Sequence, residues 1–388
     1  MMKRNLWKRC AVALACCAFA VLPLTAEAAQ KELPTVNWAP NVFTVGETSD
    51  ESLLSVPGTT GKVASAITER LEALSKEGKL PFALKTDSAA GDLQAVSDDT
   101  AISIQPFSVL DASFDSQMTV NGKNVYHALI LSALDVSVVS RYEEDGKEEY
   151  RMLGMVPLHV AGEITQMTPI TAQQKADKYA EITQAAIASD LDFSKNPKLF
   201  KNLEERMLSP DEDTWQVSDV AMSSKKAQTV YGSQQDKLRR LVAAFAAASF
   251  QQATSKTVLP SPIETGHYAK SVEANMNAFT ISSALGKKTL TIPQAKHQIA
   301  LDICGVNSGV MDEDKSDVLR HVMYKAWLRA RPAQDAPGSS SEKTLDANKV
   351  VRESKTENVQ FSSNPIDIYS ALYIDLSTRI GSQVKAKK

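Results

Sequence analysis

After its first seventeen residues the sequence holds one cysteine, Cys304. A single thiol closes no internal disulfide, and there is no Cys-x-x-Cys pair to bind a metal or carry redox exchange. Histidine is scarce too. The five, at 127, 159, 267, 297 and 321, include no His-x-x-x-His or His-x-His spacing, so the usual sequence sign of a zinc site is missing. Neither sign of charge dominates: 43 Lys+Arg against 46 Asp+Glu give a net charge of −3. That excludes a dedicated nucleic-acid surface of the kind built on a basic excess. With 16 glycines, 16 prolines and 43% hydrophobic residues, the chain is neither disordered nor collagen-like. Its 388 residues suggest two domains, at roughly 100–200 residues each.

What is present begins at the amino terminus. Lys3, Arg4, Lys8 and Arg9 form a basic start, Ala11 to Leu24 is an apolar run, and Ala26-Glu27-Ala28 places small residues at alternate positions. Together these describe a secretory signal peptide over residues 1–28, cleaved after Ala28. The run is shorter than the roughly 18–20 apolar residues a spanning helix needs. Lipid modification at Cys17 would leave a mature chain beginning with an exposed apolar stretch, so cleavage at Ala28 is the better reading. Removing residues 1–28, which hold four bases and one acid, leaves 360 residues and a net charge of −6. No later apolar stretch reaches spanning length, so no transmembrane segment is expected after signal removal.

From residue 35 to 165 the pattern reads as an α/β module. The face Val63, Ile67, Leu71 and Leu74 marks one helix, and Gly78 is placed to stop it. Strands are expected at 42–45, 80–84 and 101–107. A long antiparallel hairpin over 125–164 turns at Asp145-Gly146, with Leu134, Val136 and Val138 alternating with Asp135 and Ser137. By that alternation His159 reads as facing solvent.

From 170 to 331 the apolar spacing fits 3.6 residues, and a mainly α-helical domain is expected. Helices are read at 172–186, from Pro197 to Met207, from the Ser209-Pro210-Asp211-Glu212 start, from Ser233 through Phe245, at 269–279, at 293–304 and from Ser316 through Trp327. No fixed repeat length relates them. A polar linker is expected at 332–348. A C-terminal segment, 349–388, carries an amphipathic helix with the stripe Tyr369, Leu372, Tyr373, Leu376 and Ile380. The fold class is therefore α+β: a sheet with one packed helix, then a helical region.

Several motifs approach known chemistry and fall short. Gly58-Thr59-Thr60-Gly61-Lys62 has Val56 and Val63 where a phosphate loop needs glycine and Ser or Thr, so it reads as a capping loop. Asp312 to Asp317 begins like a calcium loop, but Asp317 stands where glycine is required and Met323 where an acid is. Cys304 as a nucleophile would need a base such as His297 or His321; a buried, inert thiol is the better reading. The Ser-x-x-Lys pairs at 223/226, 340/343 and 382/385 lack the partner motifs that give the spacing meaning. No catalytic residue, metal ligand or cofactor site is assigned. The expected function is that of an exported, non-catalytic cell-envelope protein binding an envelope protein partner. The alternatives are an exported hydrolase with a site assembled from distant residues, or a small-ligand carrier with its site between two domains.

Overall fold

The computed structural model describes residues 33–38, 40, 42–44, 52–86, 102–120, 123–144, 147–195, 214–254, 256–261, 269–270, 277–283, 286–292, 295–312, 319–332, 342–354 and 365–383. Pro34–Lys388 form one compact unit. The segment read as a leader, the helix expected from Pro197 to Met207 and the start expected at Ser209–Glu212 lie outside the described residues.

The first sheet grows from three long strands. β4 (Ile102–Val120), β5 (Lys123–Glu144) and β6 (Lys147–Gln166) form an antiparallel meander, with Val136 opposite Val156 and Leu134 opposite Leu158. The hairpin expected over 125–164 is therefore present. β1 (Thr35–Trp38) lies parallel to β4 on one side and to β3 (Ala83–Lys85) on the other, while β2 (Phe43–Thr44) pairs with β4. Two helices cover one face. In α1 (Thr59–Lys76) the N-cap Gly58 adopts a left-handed conformation, φ 85°, that a β-carbon would disfavour. α2 (Ala172–Asp190) starts with a capping box in which Thr171 and Gln174 satisfy each other's backbone N–H. Val63, Ile67, Leu71 and Leu74 bury against Ile104, Ile130, Val136 and Leu158.

The second sheet repeats this plan. β7 (Trp215–Ala221) is parallel to β8 (Val258–Leu259) and to β12 (His297–Asp312). Beyond β12, β13 (Leu319–Pro332) and β14 (Lys343–Ser354) continue the sheet antiparallel. The orders β3-β1-β4-β5-β6 and β8-β7-β12-β13-β14 match strand for strand in direction. Helices also fall at matching places. α1 joins β1 to β3, as α3 (Lys225–Tyr231) and α4 (Gln235–Thr254) join β7 to β8; α2 follows β6, as α5 (Pro365–Gln383) follows β14. The chain is thus two copies of one β-α-β-β-β-β-α plan. Between β8 and β12 the second copy inserts β9 (Ala269–Lys270), β10 (Asn277–Ser283) and β11 (Gly286–Ile292). β11 pairs with β6 and so extends the first sheet.

The copies stack in layers: α1 and α2, first sheet, α4 and α5, second sheet. One core contains Phe114, Leu131 and Met152 from the first sheet, Leu241 to Ala247 from α4, Tyr373 and Leu376 from α5, and Leu301, Ala326 and Leu328 from the second sheet. α4 lies between two sheets, so Leu241 to Phe250 is buried on every side, and its alanines let both sheets approach closely.

The expectation of a mainly helical region after residue 170 is overturned. The segments read as helices at 269–279, 293–304 and 316–327 contribute strands β9, β10, β12 and β13 instead, and β14 begins at Lys343, inside the stretch read as linker. In β13, Leu319, Val322, Met323, Ala326 and Trp327 satisfy a helical spacing. The buried set, however, is Val322, Tyr324, Ala326, Leu328 and Ala330, with a period of two. Met323 and Trp327 lie on the opposite face and produced the false helical stripe. In β12, Ile299, Leu301 and Ile303 alternate in the same way. The reading of His159 as facing solvent also needs correcting. Asp135, Ser137 and His159 face the α4 layer and are buried, because the first sheet is covered on both sides.

Candidate functional site

The residues singled out by sequence do not converge. Cys304 and His297 are on one strand seven residues apart, about 23 Å at ~3.3 Å per residue. His297 stacks on Trp215, 4.9 Å between ring centres. His321 pairs with Asp312 at the far end of β13, whereas the neighbours of Cys304, Ile303 and Gly305, pair with Leu328 and Trp327. Burial pushes the Cys304 thiol up and so disfavours a thiolate, although Arg329 opposes the shift. Ser223 bonds Asp302, 2.9 Å from Oγ to Oδ2, while Lys226 turns to Asn307 Oδ1 at 2.7 Å, so that Ser-x-x-Lys pair does not assemble. Ser340 and Lys385, from the other two pairs, lie outside the described residues, as do 313–318 of the calcium-like segment. Lys62 of the glycine-rich loop pairs with Asp177 of α2 at 2.7 Å.

A serine, a histidine and an aspartate do meet elsewhere. Ser116 on β4 and His127 on β5 are cross-strand neighbours, and both bond Asp367 Oδ2 in the first turn of α5, with His127 Nδ1 at 3.2 Å. Glu163 lies 3.8 Å from His127 Nε2. The order is wrong for a serine–histidine nucleophile: Ser116 donates to the carboxylate, and among the described residues no histidine nitrogen is hydrogen-bonded to its hydroxyl. The cluster instead ties the start of α5 to the first sheet. The hydrogen bond to Asp367 raises the His127 pKa above its ordinary value, outweighing burial, with Glu163 adding to the rise. A raised folded-state pKa contributes stability that is complete below the unfolded value, about 6.5, and is lost as pH rises through the folded value. Denaturant midpoints of the parent should therefore fall between about pH 6 and pH 9 by more than those of His127→Gln. Equal slopes in the two proteins would remove this role.

Two further carboxylates are buried. Asp135 meets His159 Nε2 at 2.7 Å, and His159 Nδ1 meets the Ala244 carbonyl of α4 at 2.7 Å. Burial pushes the Asp111 carboxyl up, while hydrogen bonds from Ser52 Oγ and the Leu54 N–H oppose the shift. Both arrangements join layers of the core.

The remaining candidate is a surface. Among the described residues the first sheet is covered on both faces, the second on one only. Its outer face carries His321, Met323, Lys325, Trp327, Arg329 and Arg331 at alternate positions of β13, all at least partly exposed. Trp327 is flanked in register by Gly305 on β12 and Asp346 on β14. A β-carbon on Gly305 would come within 2.8 Å of the Trp327 ring, so this glycine is what lets the indole lie flat on the strand. The next rows outward are Asn307, Lys325 and Asn348, then Gly309, Met323 and Val350. Val350 is 48% exposed. Arg329 pairs with Glu342 at 3.5 Å, whereas Lys325 and Arg331 have no acidic partner among the described residues. Sequence reasoning missed this surface by placing Trp327 inside a helix. The available signal was the alternation of large or cationic residues with Val322, Tyr324, Ala326, Leu328 and Ala330.

No cluster of three or more His, Cys, Asp or Glu side chains suited to a metal ion occurs among the described residues. No helix among them is long and apolar enough to cross a membrane, which says nothing about strands. No known protein-family model matches the chain, and no curated protein matches its sequence.

Proposed function

We propose that this chain is an exported, non-catalytic cell-envelope protein that binds another protein through the outer face of its second sheet. The observation that carries this reading is the Trp327 surface. It combines a partly exposed tryptophan and methionine with arginine, a composition enriched in the cores of transient protein interfaces. The basic start, short apolar run and Ala26-Glu27-Ala28 site support export. The candidate nucleophiles and bases described above are held in structural contacts, which supports a binding role over catalysis.

In-cell photo-crosslinking tests the proposal. A crosslinking residue at Asn348, on the outer face, should yield a discrete adduct of a chain beginning at Ala29 or Gln30. The same residue at Gln184, on the exposed side of α2, should yield none, and Trp327→Ala should abolish the Asn348 adduct. Absence of an adduct at Asn348, or an adduct retaining residues 1–28, would count against it.

A further inference from the structure

The internal duplication shows what kind of element such a face accepts. In the first copy, the sheet face opposite α1 and α2 is the seat of α4 and α5, a packed pair of helices. The strands of that seat, β4, β5 and β6, are the counterparts of β12, β13 and β14. The outer face of the second sheet is therefore the same surface of the same fold, carrying different side chains. In the first copy it is largely apolar, with Phe107, Phe114, Leu131 and Met152 facing the helices beside polar groups paired inside the layer, Asp135 with His159 and His127 with Asp367, as suits a permanent neighbour. In the second copy an apolar centre, Met323, Trp327 and Val350, is crossed by the cations Lys325, Arg329 and Arg331, with one exposed acid, Asp346, beside Trp327, as suits a partner that comes and goes.

We infer that the outer face of the second sheet binds an acidic amphipathic helix of a partner protein, laid along β13 over Trp327. This rests on the proposed function and names its partner class. Lys325, Arg329 and Arg331 share one face of one strand and span about 20 Å, the length of roughly 14 helical residues. Two of the three cations lack an acidic partner among the described residues, so a helix edged with Glu or Asp neutralises charge that the chain itself leaves open. The apolar edge of such a helix covers Trp327 and Met323. A second copy of this chain is a poorer occupant. The exposed sides of its α1 and α2 mix both signs, with Lys62, Glu72, Asp177 and Lys178 among them, and offer no excess of acid.

The test uses the folded mature protein and a defined probe: a stapled 14-residue helix with leucines on one face and glutamates on the other, beside a control with lysine for glutamate. Nuclear magnetic resonance of the tryptophan indoles reads the site, since Trp38 and Trp215 are buried. The acidic helix should shift the Trp327 indole saturably. Affinity should fall roughly tenfold on Lys325→Glu with Arg331→Glu, and should weaken with salt. The control should not compete. A charge-reversed protein with unchanged melting temperature keeps the comparison valid; if that variant unfolds, Lys325→Gln with Arg331→Gln replaces it, with a smaller loss expected. Equal response to both helices, a Trp327 shift produced by raising protein concentration alone, or a shift with soluble glycan fragments and none with the acidic helix would each overturn the inference. An Asn348 crosslink combined with no response to the acidic helix leaves the binding reading standing and refutes the occupant; absence of the crosslink with Trp327 intact refutes the reading itself.

Discussion

Asp135→Ala should lower the free energy of unfolding by about 2–3 kcal/mol, the cost of leaving a buried hydrogen-bonding group without its partner. Asp135 and His159 side chains are both 0% exposed, and their 2.7 Å contact lies between the first sheet and α4. Both ring nitrogens of His159 face oxygen, Asp135 Oδ1 on one side and the Ala244 carbonyl on the other. The imidazole therefore bridges the first copy of the fold to the second. Removing the carboxylate strands Nε2 where no water reaches it. Asp135→Asn keeps a group able to hydrogen bond Nε2 and should lose less. His159→Phe with Asp135→Leu removes both polar groups and should recover much of the loss, because a buried pair replaced by apolar side chains often costs little. Urea unfolding of the four proteins supplies the numbers. A loss under about 1 kcal/mol for Asp135→Ala would mean that the pair contributes little to holding the layers together.

That pair also marks where sequence reasoning stops. Alternation along the hairpin separated Val136 and Val138 from Asp135 and Ser137 correctly, yet gave His159 to solvent. Period two tells which residues share a face; it carries no information on what covers that face. Helices α2, α4 and α5 were legible because each has caps or an apolar face that only one period satisfies, as with Thr171 and Gln174 at the start of α2. β12 and β13 were not, since side chains on the outer face, Met323 and Trp327, complete a helical spacing together with inward ones. The duplication left no readable period for related reasons. α1 keeps a polar outer side while α4 is buried all round. The connection from β8 to β12 also carries a three-strand insertion, β9 to β11. Topology is shared between the copies, whereas the hydrophobic pattern follows each copy's place in the stack. The outer-face site was illegible for the same reason, since its existence depends on the second sheet being the end of the stack.

The close approach of α5 to α4 sets the other large effect, expected at Gly381. The Gly381 N–H donates to Ser249 Oγ at 2.7 Å. A β-carbon at this position would lie 2.6 Å from that hydroxyl and press still harder on the Ser249 carbonyl, which is backbone and cannot swing aside. α4 has no room to retreat, because sheets occupy both of its flanks. Either α5 lifts from its seat, uncovering Tyr373, Leu376 and Ile380, or the overlap remains as strain. Gly381→Ala should therefore cost about 2–3 kcal/mol despite the better helix propensity of alanine, near the upper range for overpacking a core. Gly61 is the internal control. It is also helical, but a β-carbon there meets nothing within 4 Å, so Gly61→Ala should stabilise by roughly 0.5–1 kcal/mol. Ser249→Gly, introduced with Gly381→Ala, removes the hydroxyl but not the carbonyl and should recover only part of the loss. Calorimetric unfolding distinguishes the cases. Like effects from alanine at 61 and 381 would mean that the last turn of α5 shifts freely and that the contact does not hold the helix pair together.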